Sequence, residues 1–277
     1  MRNNDKDVLV WIFNDTLEQC TCIEKLKNAV DNSIGKQYIL PDDAPLELTR
    51  EPYPQPCKVK VSPKRTVEAA EQYKDTKVCI LNFASAKNPG GGVVNGAKAQ
   101  EECICRITTL YPCLASDKIM EGFYQPHRTM FSDLIYNDDL IFTPDVYCIK
   151  TDTASPSPRP ENEWFKVDVI TCASPNLSGY TRIYDDTLAK IQYKRLEKVF
   201  LTAINNGAET FILGAFGCGA FRNPPKVVAK VMKDLTEKYR YYFKNIEFAV
   251  YCRPDETKNY DAFSRELGQL CLEAGRL

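Results

Sequence analysis

A buried strand followed by three consecutive glycines constrains the fold more than any other stretch of this sequence. The run Val78–Phe83 is almost continuously apolar, as in a strand that is covered on both faces of a sheet. Gly90, Gly91 and Gly92 follow after a short spacer. Glycine has no Cβ, so a triplet permits positive φ angles and lets the backbone approach a ligand closely. The sequence therefore predicts a strand that ends in a ligand-binding turn.

A polar triplet, Gln100-Glu101-Glu102, begins a predicted helix seven residues after these glycines. Two neighbouring carboxylates in a partly desolvated cleft cannot both ionise cheaply, so the pKa of one should rise. Adjacent helical residues point about 100° apart, so the two carboxylates can take different roles. An acidic first turn favoured only by the helix dipole is the alternative. Their position next to the glycine turn favours a general acid-base pair.

A second glycine loop, residues 214–223, follows the predicted strand 210–213 and precedes a helix that begins near residue 224. Ligands of open α/β sheets lie beyond the carboxyl ends of the strands, so the two loops can face one crevice. Their N–H groups can bind a diphosphate. The loop matches neither the phosphate-loop nor the dinucleotide-binding spacing. Tight packing of a helix on a strand would be the alternative explanation for a single glycine turn.

Strands alternate with helices in the second half, which favours a sheet between two helix layers. The chain has 277 residues, of which 44% are hydrophobic, enough for one large domain with an extension. We expect an N-terminal helical extension and connector over residues 1–56 and an α/β catalytic domain over 57–277, packed as a single unit. The pattern predicts two short helices within 5–33. It also predicts strand-like pieces at 133–136, 140–142 and 146–150.

The charge balance and the absence of long apolar runs limit the partners. A formal net charge of −1 argues against broad electrostatic attachment to nucleic acid or to an acidic membrane. The sequence shows no signal peptide and no run near the roughly 20 apolar residues of a membrane-spanning helix. We therefore expect an intracellular, cytoplasmic protein that binds neither membrane nor nucleic acid in general.

Twelve cysteines and one histidine restrict the metal and nucleophile chemistry. Several of the cysteines lie in apolar strand-like runs, where cysteine behaves as a small hydrophobe, and we expect reduced thiols. The single histidine, His127, excludes sites that need several imidazoles, although thiolates alone can bind zinc. Cys218 near a helix start could be a nucleophile, but nothing ties His127 to it as a base. We expect neither a metal nor a cofactor.

The spacing GGG, seven residues, QEE resembles the signature of bacterial-type poly(ADP-ribose) glycohydrolases, which are built on a macrodomain. The segments LNFASAKNPGGG and LGAFGCGAFRNPP around the two turns also resemble that family, as do NDTLEQC and DVITCASPN. This resemblance implies a macrodomain-like three-layer α/β/α sandwich with a mixed sheet and an N-terminal helical extension. It also implies a hydrolase that cleaves the O-glycosidic ribose–ribose bond of poly(ADP-ribose) and releases ADP-ribose.

The resemblance assigns roles to matching positions around the first turn. Glu102 would be the catalytic acid-base, Glu101 would orient the sugar hydroxyls, and Gln100 would support the pair. Asn88 would contact the ribose. The three glycines of the turn that would approach the distal ribose and the phosphates are Gly90, Gly91 and Gly92.

The same resemblance assigns the second loop to the diphosphate. The residues that would wrap it are Gly217, Cys218, Gly219 and Ala220. Phe221 would pack on the distal ribose and shape the closed conformation. For the adenine pocket, the candidates are Thr66 and Glu68 at the start of the first helix after residue 62.

The implied ligand is ADP-ribose or poly(ADP-ribose), and the implied partners are ADP-ribosylated proteins. Two other functions remain open from the sequence: an O-linked mono-ADP-ribosyl hydrolase, and a macrodomain that binds ADP-ribose without cleaving it. The presence of both Glu101 and Glu102 speaks against pure binding, because a binding module needs no acid at the scissile bond.

Overall fold

The computed structural model describes residues 2–129, 134–179 and 183–274, and within them seven strands form one sheet. The strands are β1 (Tyr38–Leu40), β2 (Lys58–Ser62), β3 (Val78–Phe83), β4 (Leu140–Cys148), β5 (Phe165–Cys172), β6 (Thr210–Leu213) and β7 (Asn245–Ala249). Their order across the sheet is β1-β4-β5-β3-β6-β7-β2. Strand β4 pairs antiparallel with β1 and β5, and the other neighbours are parallel. The sheet is therefore mixed, as expected.

Helices cover both faces of this sheet. They are α1 (Arg2–Cys22), α2 (Glu24–Lys36), α3 (Thr66–Glu71), α4 (Gln100–Ile107), α5 (Leu110–Leu114), α6 (Asp117–Ile119), α7 (Gln125–Thr129), α8 (Asp185–Asn205), α9 (Pro225–Tyr239) and α10 (Lys258–Ala274). Buried side chains of α8, α9 and α10 form one apolar cluster with the sheet, and those of α1, α3, α4 and α5 form another on the opposite face. The three-layer α/β/α sandwich is confirmed.

The central strand β3 explains how the first glycine turn is positioned. Its side chains alternate between the two faces, with Cys79 and Leu81 in one apolar cluster and Val78 and Ile80 in the other. Strands covered on both faces have such continuous apolarity, and the strand predicted over 78–83 is confirmed with the same bounds. The carboxyl end of β3 therefore delivers the chain to the glycine turn from the middle of the sheet.

The N-terminal segment contains more than the expected helices. Helices α1 and α2 are longer than the two short helices predicted within 5–33. Strand β1, which was not predicted, pairs with β4 at the edge of the sheet. Its three residues are all half-buried, so they carry no alternation that a sequence pattern could reveal.

The predicted strand pieces 140–142 and 146–150 belong to one strand, β4, which ends at Cys148. Its register with β5 shifts between Thr143 and Val146. Pro144 has no N–H to donate, and Asp145 adopts a φ of 59°, so a bulge interrupts the pattern without ending the strand. Of the piece predicted at 133–136, residue 133 lies outside the described residues, and the other three are not in a strand.

All twelve cysteines are free thiols. No helix in the described part of the chain has the length and apolarity needed to cross a membrane.

Candidate active site

A cleft of about 950 Å³ opens beyond the carboxyl ends of the parallel strands. Its walls include the start of α4 and residues that directly follow β3, β5, β6 and β7. Gly91 of the first glycine turn and residues 217–221 of the second loop line it together. The crevice predicted from the two glycine loops is thus present at the sheet edge where ligands of α/β folds bind.

Gln100 fixes the start of α4 against the end of β3. Its Oε1 accepts a hydrogen bond from the N–H of Phe83 at 2.8 Å. Its Nε2 donates to the carbonyl oxygen of Leu81 at 2.7 Å and to Oγ1 of Thr66 at 3.0 Å. Thr66 and Gln100 both line the cleft, and every polar atom of the Gln100 amide has a partner. This anchoring determines where the next two side chains lie.

Glu101 is buried beneath the cleft surface. Its Oε2 accepts a hydrogen bond from the N–H of Ser85 at 2.7 Å, and its Oε1 accepts one from Nδ2 of Asn82 at 3.4 Å. Burial raises the pKa of Glu101 to about 8; the Ser85 amide opposes this rise, and the neighbouring Glu102 carboxylate adds to it. The raised pKa expected for one member of the pair falls on Glu101, which is largely protonated at neutral pH.

Glu102 has one bonded and one unbonded carboxylate oxygen. Oε1 accepts a hydrogen bond from the N–H of Gly92 at 2.8 Å. Oε2 is buried and receives no hydrogen bond from the described residues, although Glu102 lines the cleft. An unpartnered buried carboxylate oxygen is costly, and this one belongs to a residue that lines a ligand-sized cleft, which singles out Glu102 as a candidate functional group.

The first glycine turn fits closely around these carboxylates. Gly90 and Gly91 have φ angles of 66° and 58°, which disfavour any residue with a Cβ. A Cβ on Gly91 would stand 2.5 Å from Oε1 of Glu102. Among the predicted contacts Gly91 lines the cleft, whereas Asn88, Gly90 and Gly92 do not. The Asn88 side chain is exposed, and its carbonyl oxygen closes the turn by accepting the N–H of Gly91 at 3.0 Å.

The second loop presents all five of its predicted residues to the cleft: Gly217, Cys218, Gly219, Ala220 and Phe221. Gly217 has a φ of 73°, and a Cβ there would stand 2.1 Å from Oγ of Ser174. Behind the loop, Nδ2 of Asn223 donates to the carbonyl oxygen of Gly217 at 3.1 Å, which stiffens the turn. The N–H groups of Gly219 and Ala220 have no acceptor in the described ranges, so they can bind an anion.

Cysteine nucleophile chemistry finds no support in this arrangement. Burial raises the pKa of the Cys218 thiol to about 12, so thiolate is scarce at neutral pH. His127 lies outside the cleft lining, where its Nδ1 and Nε2 are each 2.7 Å from the Phe123 carbonyl oxygen and the Asn137 Oδ1, respectively. Residues 2–129, 134–179 and 183–274 contain no group of three or more histidine, cysteine or acidic side chains that could hold a metal ion.

Sequence reasoning missed an aromatic residue at the cleft rim. Tyr251, two residues after the end of β7, is 50% exposed and lines the cleft. The guanidinium of Arg65 lies 4.2 Å from the centre of its ring. The rule that ligand contacts follow the carboxyl ends of strands could have identified Tyr251, because it follows the mostly apolar run 246–250.

Of the two adenine-pocket candidates at the start of α3, one lines the cleft and the other does not. Thr66 lines the cleft, but the Glu68 carboxylate accepts the N–H of Arg65 at 3.1 Å and so caps the helix. Asp152, also missed, lines the cleft and accepts the N–H of Val67 at 2.9 Å. Burial raises the pKa of Asp152.

Comparison with known proteins places this geometry in context. Residues 18–151 match the family model of the microbial-type PARG catalytic domain. The chain is 26% identical to the solved poly(ADP-ribose) glycohydrolase of Thermomonospora curvata, with a TM-score of 0.82 over 93% of this chain and 98% of that one. That enzyme bound to the inhibitor ADP-HPD matches at 25% identity and a TM-score of 0.78, with the same shares of both chains.

A second similar structure is the poly(ADP-ribose) glycohydrolase of Deinococcus radiodurans in complex with ADP-ribose. It is 29% identical, with a TM-score of 0.76 over 87% of this chain and 98% of that chain. A search of curated protein sequences found no match.

Proposed function

We propose that this chain, which belongs to the microbial-type poly(ADP-ribose) glycohydrolases, hydrolyses the O-glycosidic ribose–ribose bond of poly(ADP-ribose) and releases ADP-ribose. The observation that carries the proposal is the Glu102 carboxylate, held on one oxygen by Gly92 and unpartnered on the other, in a cleft shared by two glycine loops. The complexes of its relatives with ADP-ribose and with ADP-HPD support the same ligand class.

Glu102 acts as the general acid and base of this reaction. As an acid it gives its proton to the ribose oxygen that leaves, while the bond from that oxygen to the anomeric carbon breaks with oxocarbenium-like character. As a carboxylate it then takes a proton from the water that attacks the anomeric carbon, which restores the acid. The free Oε2 is the atom available for both transfers, because Oε1 already accepts the Gly92 N–H.

Glu101 binds the sugar hydroxyls rather than moving the proton. Because burial raises its pKa to about 8, it is mostly a neutral acid at pH 7, able to donate one hydrogen bond and to accept others. The bonds from Ser85 and Asn82 hold its carboxyl group in one orientation.

The remainder of ADP-ribose lies along the cleft. The N–H groups of Gly219 and Ala220 bind the diphosphate, which suits a protein whose formal net charge is −1, since backbone amides need no cationic side chains. Tyr251, with Arg65 on its ring, offers an exposed flat surface for the purine at the other rim. The substrates include ADP-ribosylated proteins, and the twelve free cysteines suit a reducing, cytoplasmic setting.

One experiment separates this function from its two alternatives. Wild type, Glu102→Gln and the control Glu237→Gln, an exposed glutamate on α9, are each incubated with labelled poly(ADP-ribose) and with O-linked mono-ADP-ribosylated protein. The proposal expects ADP-ribose release from the polymer by wild type and by the control, and release slower by about 100-fold or more by Glu102→Gln. Cleavage of the mono-ADP-ribosylated protein alone would establish the mono-ADP-ribosyl hydrolase, and binding without turnover by all three proteins would establish the binding module.

A further inference from the structure

Arg106 is a buried arginine of α4 that donates hydrogen bonds to α1 and to the segment just before α4. Its side chain is only 1% exposed. Its Nε donates to the carbonyl oxygen of Leu9 in α1 at 3.2 Å, and a terminal guanidinium nitrogen donates to the carbonyl oxygen of Ala97 at 2.5 Å. On α4 it follows Glu102 by four residues, so both side chains project from the same face of the helix.

Two further hydrogen bonds connect Ala97 with Glu102, the proposed acid-base. The N–H of Ala97 donates to the carbonyl oxygen of Gly92 at 3.2 Å. The N–H of Gly92 in turn donates to Oε1 of Glu102 at 2.8 Å. A continuous set of hydrogen bonds therefore runs from Leu9 through the Arg106 guanidinium and the glycine turn to the Glu102 carboxylate.

Helix α1 also touches this turn through its backbone. Gly96 has a φ of 70°, and a Cβ at this position would stand 2.7 Å from the carbonyl oxygen of Lys6. Only glycine allows so close an approach in this conformation. Lys6 and Leu9 both precede residue 18, where the family match begins, so the contact comes from a part of the chain that the family model does not cover.

Further contacts hold α1 in place nearer its carboxyl end. Oγ1 of Thr16 donates to the carbonyl oxygen of Arg106 at 2.6 Å. Lys150, just after β4, is also buried; its Nζ donates to the carbonyl oxygen of Ile12 at 2.8 Å and pairs with Asp15 at 2.6 Å. Its Nζ also donates to Oγ1 of Thr16 at 2.5 Å, so Lys150 belongs to the same network that holds α1 against α4. Arg159 is the matched comparison for Arg106, because its guanidinium is also largely buried but donates to Glu71 on α3 and to the carbonyl oxygen of Lys150.

We propose that α1 braces the glycine turn and that Arg106 is the positioning residue through which it does so. The brace keeps the Gly92 N–H bonded to Glu102. The carboxylate therefore stays next to the position that the glycosidic oxygen of the substrate will occupy. Arg106 does not touch the substrate; it acts through the turn. This role rests on the hydrolysis proposed above, and it gives the N-terminal extension a part in catalysis.

The kinetic test uses Arg106→Lys and Gly96→Ala, with Arg159→Lys as the matched control. Lysine cannot bridge both carbonyl oxygens with a planar fork, and the alanine Cβ pushes the turn away from α1. We expect kcat for ADP-ribose release from poly(ADP-ribose) to fall about 10- to 100-fold in both variants, the scale of a displacement near 1 Å. KM and the Kd for ADP-ribose should change less than about threefold, since the ligand-binding residues are intact. Arg159→Lys, which loses the paired bonds to Glu71, should lose thermal stability and keep kcat.

A second readout does not depend on turnover. Hydrogen exchange of the amides in 90–97 should become faster in Arg106→Lys and Gly96→Ala and stay unchanged in Arg159→Lys. Unchanged exchange in Arg106→Lys, or an equal fall of kcat in Arg159→Lys, would overturn the brace. If wild type releases no ADP-ribose, the proposed function fails, and the exchange data alone decide whether the brace exists.

Discussion

The N–H of Gly92 donates a 2.8 Å hydrogen bond to Oε1 of Glu102, ten residues further along the chain. This bond joins the glycine turn after β3 to the first turn of α4. It leaves Oε2 of Glu102 as the carboxylate oxygen without a donor in the described residues. The neighbouring Gly91 supplies the space, because a Cβ there would overlap the bonded oxygen. Glycine is therefore required here for the room it leaves as well as for its φ angle.

Substitution of Gly91 by alanine should disable the enzyme. The new Cβ would stand 2.5 Å from Oε1 of Glu102, and the φ of 58° is unfavourable for alanine. We expect kcat to fall by about 100-fold or more because the carboxylate must move, and unfolding free energy to fall by about 1 kcal/mol or more. Steady-state kinetics and denaturant melts measure both quantities.

The matched control for this substitution is Gly35→Ala. Gly35 is exposed on α2, and a Cβ there meets nothing within 4 Å. Alanine should stabilise the helix by about 0.5–1 kcal/mol and leave kcat as it is. Equal activity in Gly91→Ala and Gly35→Ala would show that the turn does not shape the carboxylate.

The pKa of Glu101 should appear in the pH dependence of stability. Its value of about 8 in the folded protein lies above the ordinary 4.5, so between these pH values the folded state holds a proton that the unfolded state has released. The stabilisation is therefore complete below about pH 4.5, declines as pH rises, and levels off above about pH 8. The difference in unfolding free energy between wild type and Glu101→Gln should follow this course. A difference that is flat or that increases with pH would contradict the assignment.

Tyr251 should contribute binding energy for the base of ADP-ribose. Stacking of a base on an aromatic side chain contributes about 1–3 kcal/mol, so Tyr251→Ala should raise the Kd for ADP-ribose about ten- to a hundredfold. Tyr251→Phe keeps the ring and should bind as wild type does. Tyr241→Ala is the control, because Tyr241 is 40% exposed and also carries an arginine over its ring, but lies outside the cleft. Calorimetric titration that finds the same Kd for Tyr251→Ala and Tyr241→Ala would exclude the stacking role.

The sequence was most informative where one pattern dominated. The run Val78–Phe83 predicted β3 with its observed bounds, because five of its six residues are apolar, as in a strand covered on both faces of a sheet. Strand β4 was predicted in pieces, since Pro144 and the bulge at Asp145 interrupt the local pattern although the pairing with β5 continues beyond them. Strand β1 was missed because tertiary pairing, rather than its three residues, makes it a strand.

In the candidate site, too, residues marked by a local sequence pattern could be predicted, whereas residues placed by tertiary contacts could not. Glu101 and Glu102 could be singled out because their spacing from the glycine triplet is a local feature of the sequence. Arg106 could not, because an arginine in a short amphipathic helix is ordinarily a solvent-exposed residue. Its burial depends on α1 folding back over α4, a contact between residues far apart in the chain. The position of Tyr251 in the cleft likewise depends on tertiary structure, because it requires strand ends that are distant in the sequence to meet there.

The most direct measurement of the central claim combines turnover and binding in Glu102→Gln. Glutamine keeps the shape of the side chain but can neither give nor take the proton at Oε2. At saturating poly(ADP-ribose), we predict that ADP-ribose release slows by about 10²- to 10⁴-fold, the usual contribution of a general acid-base, while the Kd for ADP-ribose stays within about threefold of wild type. Release at the wild-type rate would contradict the assignment of Glu102 as the acid-base.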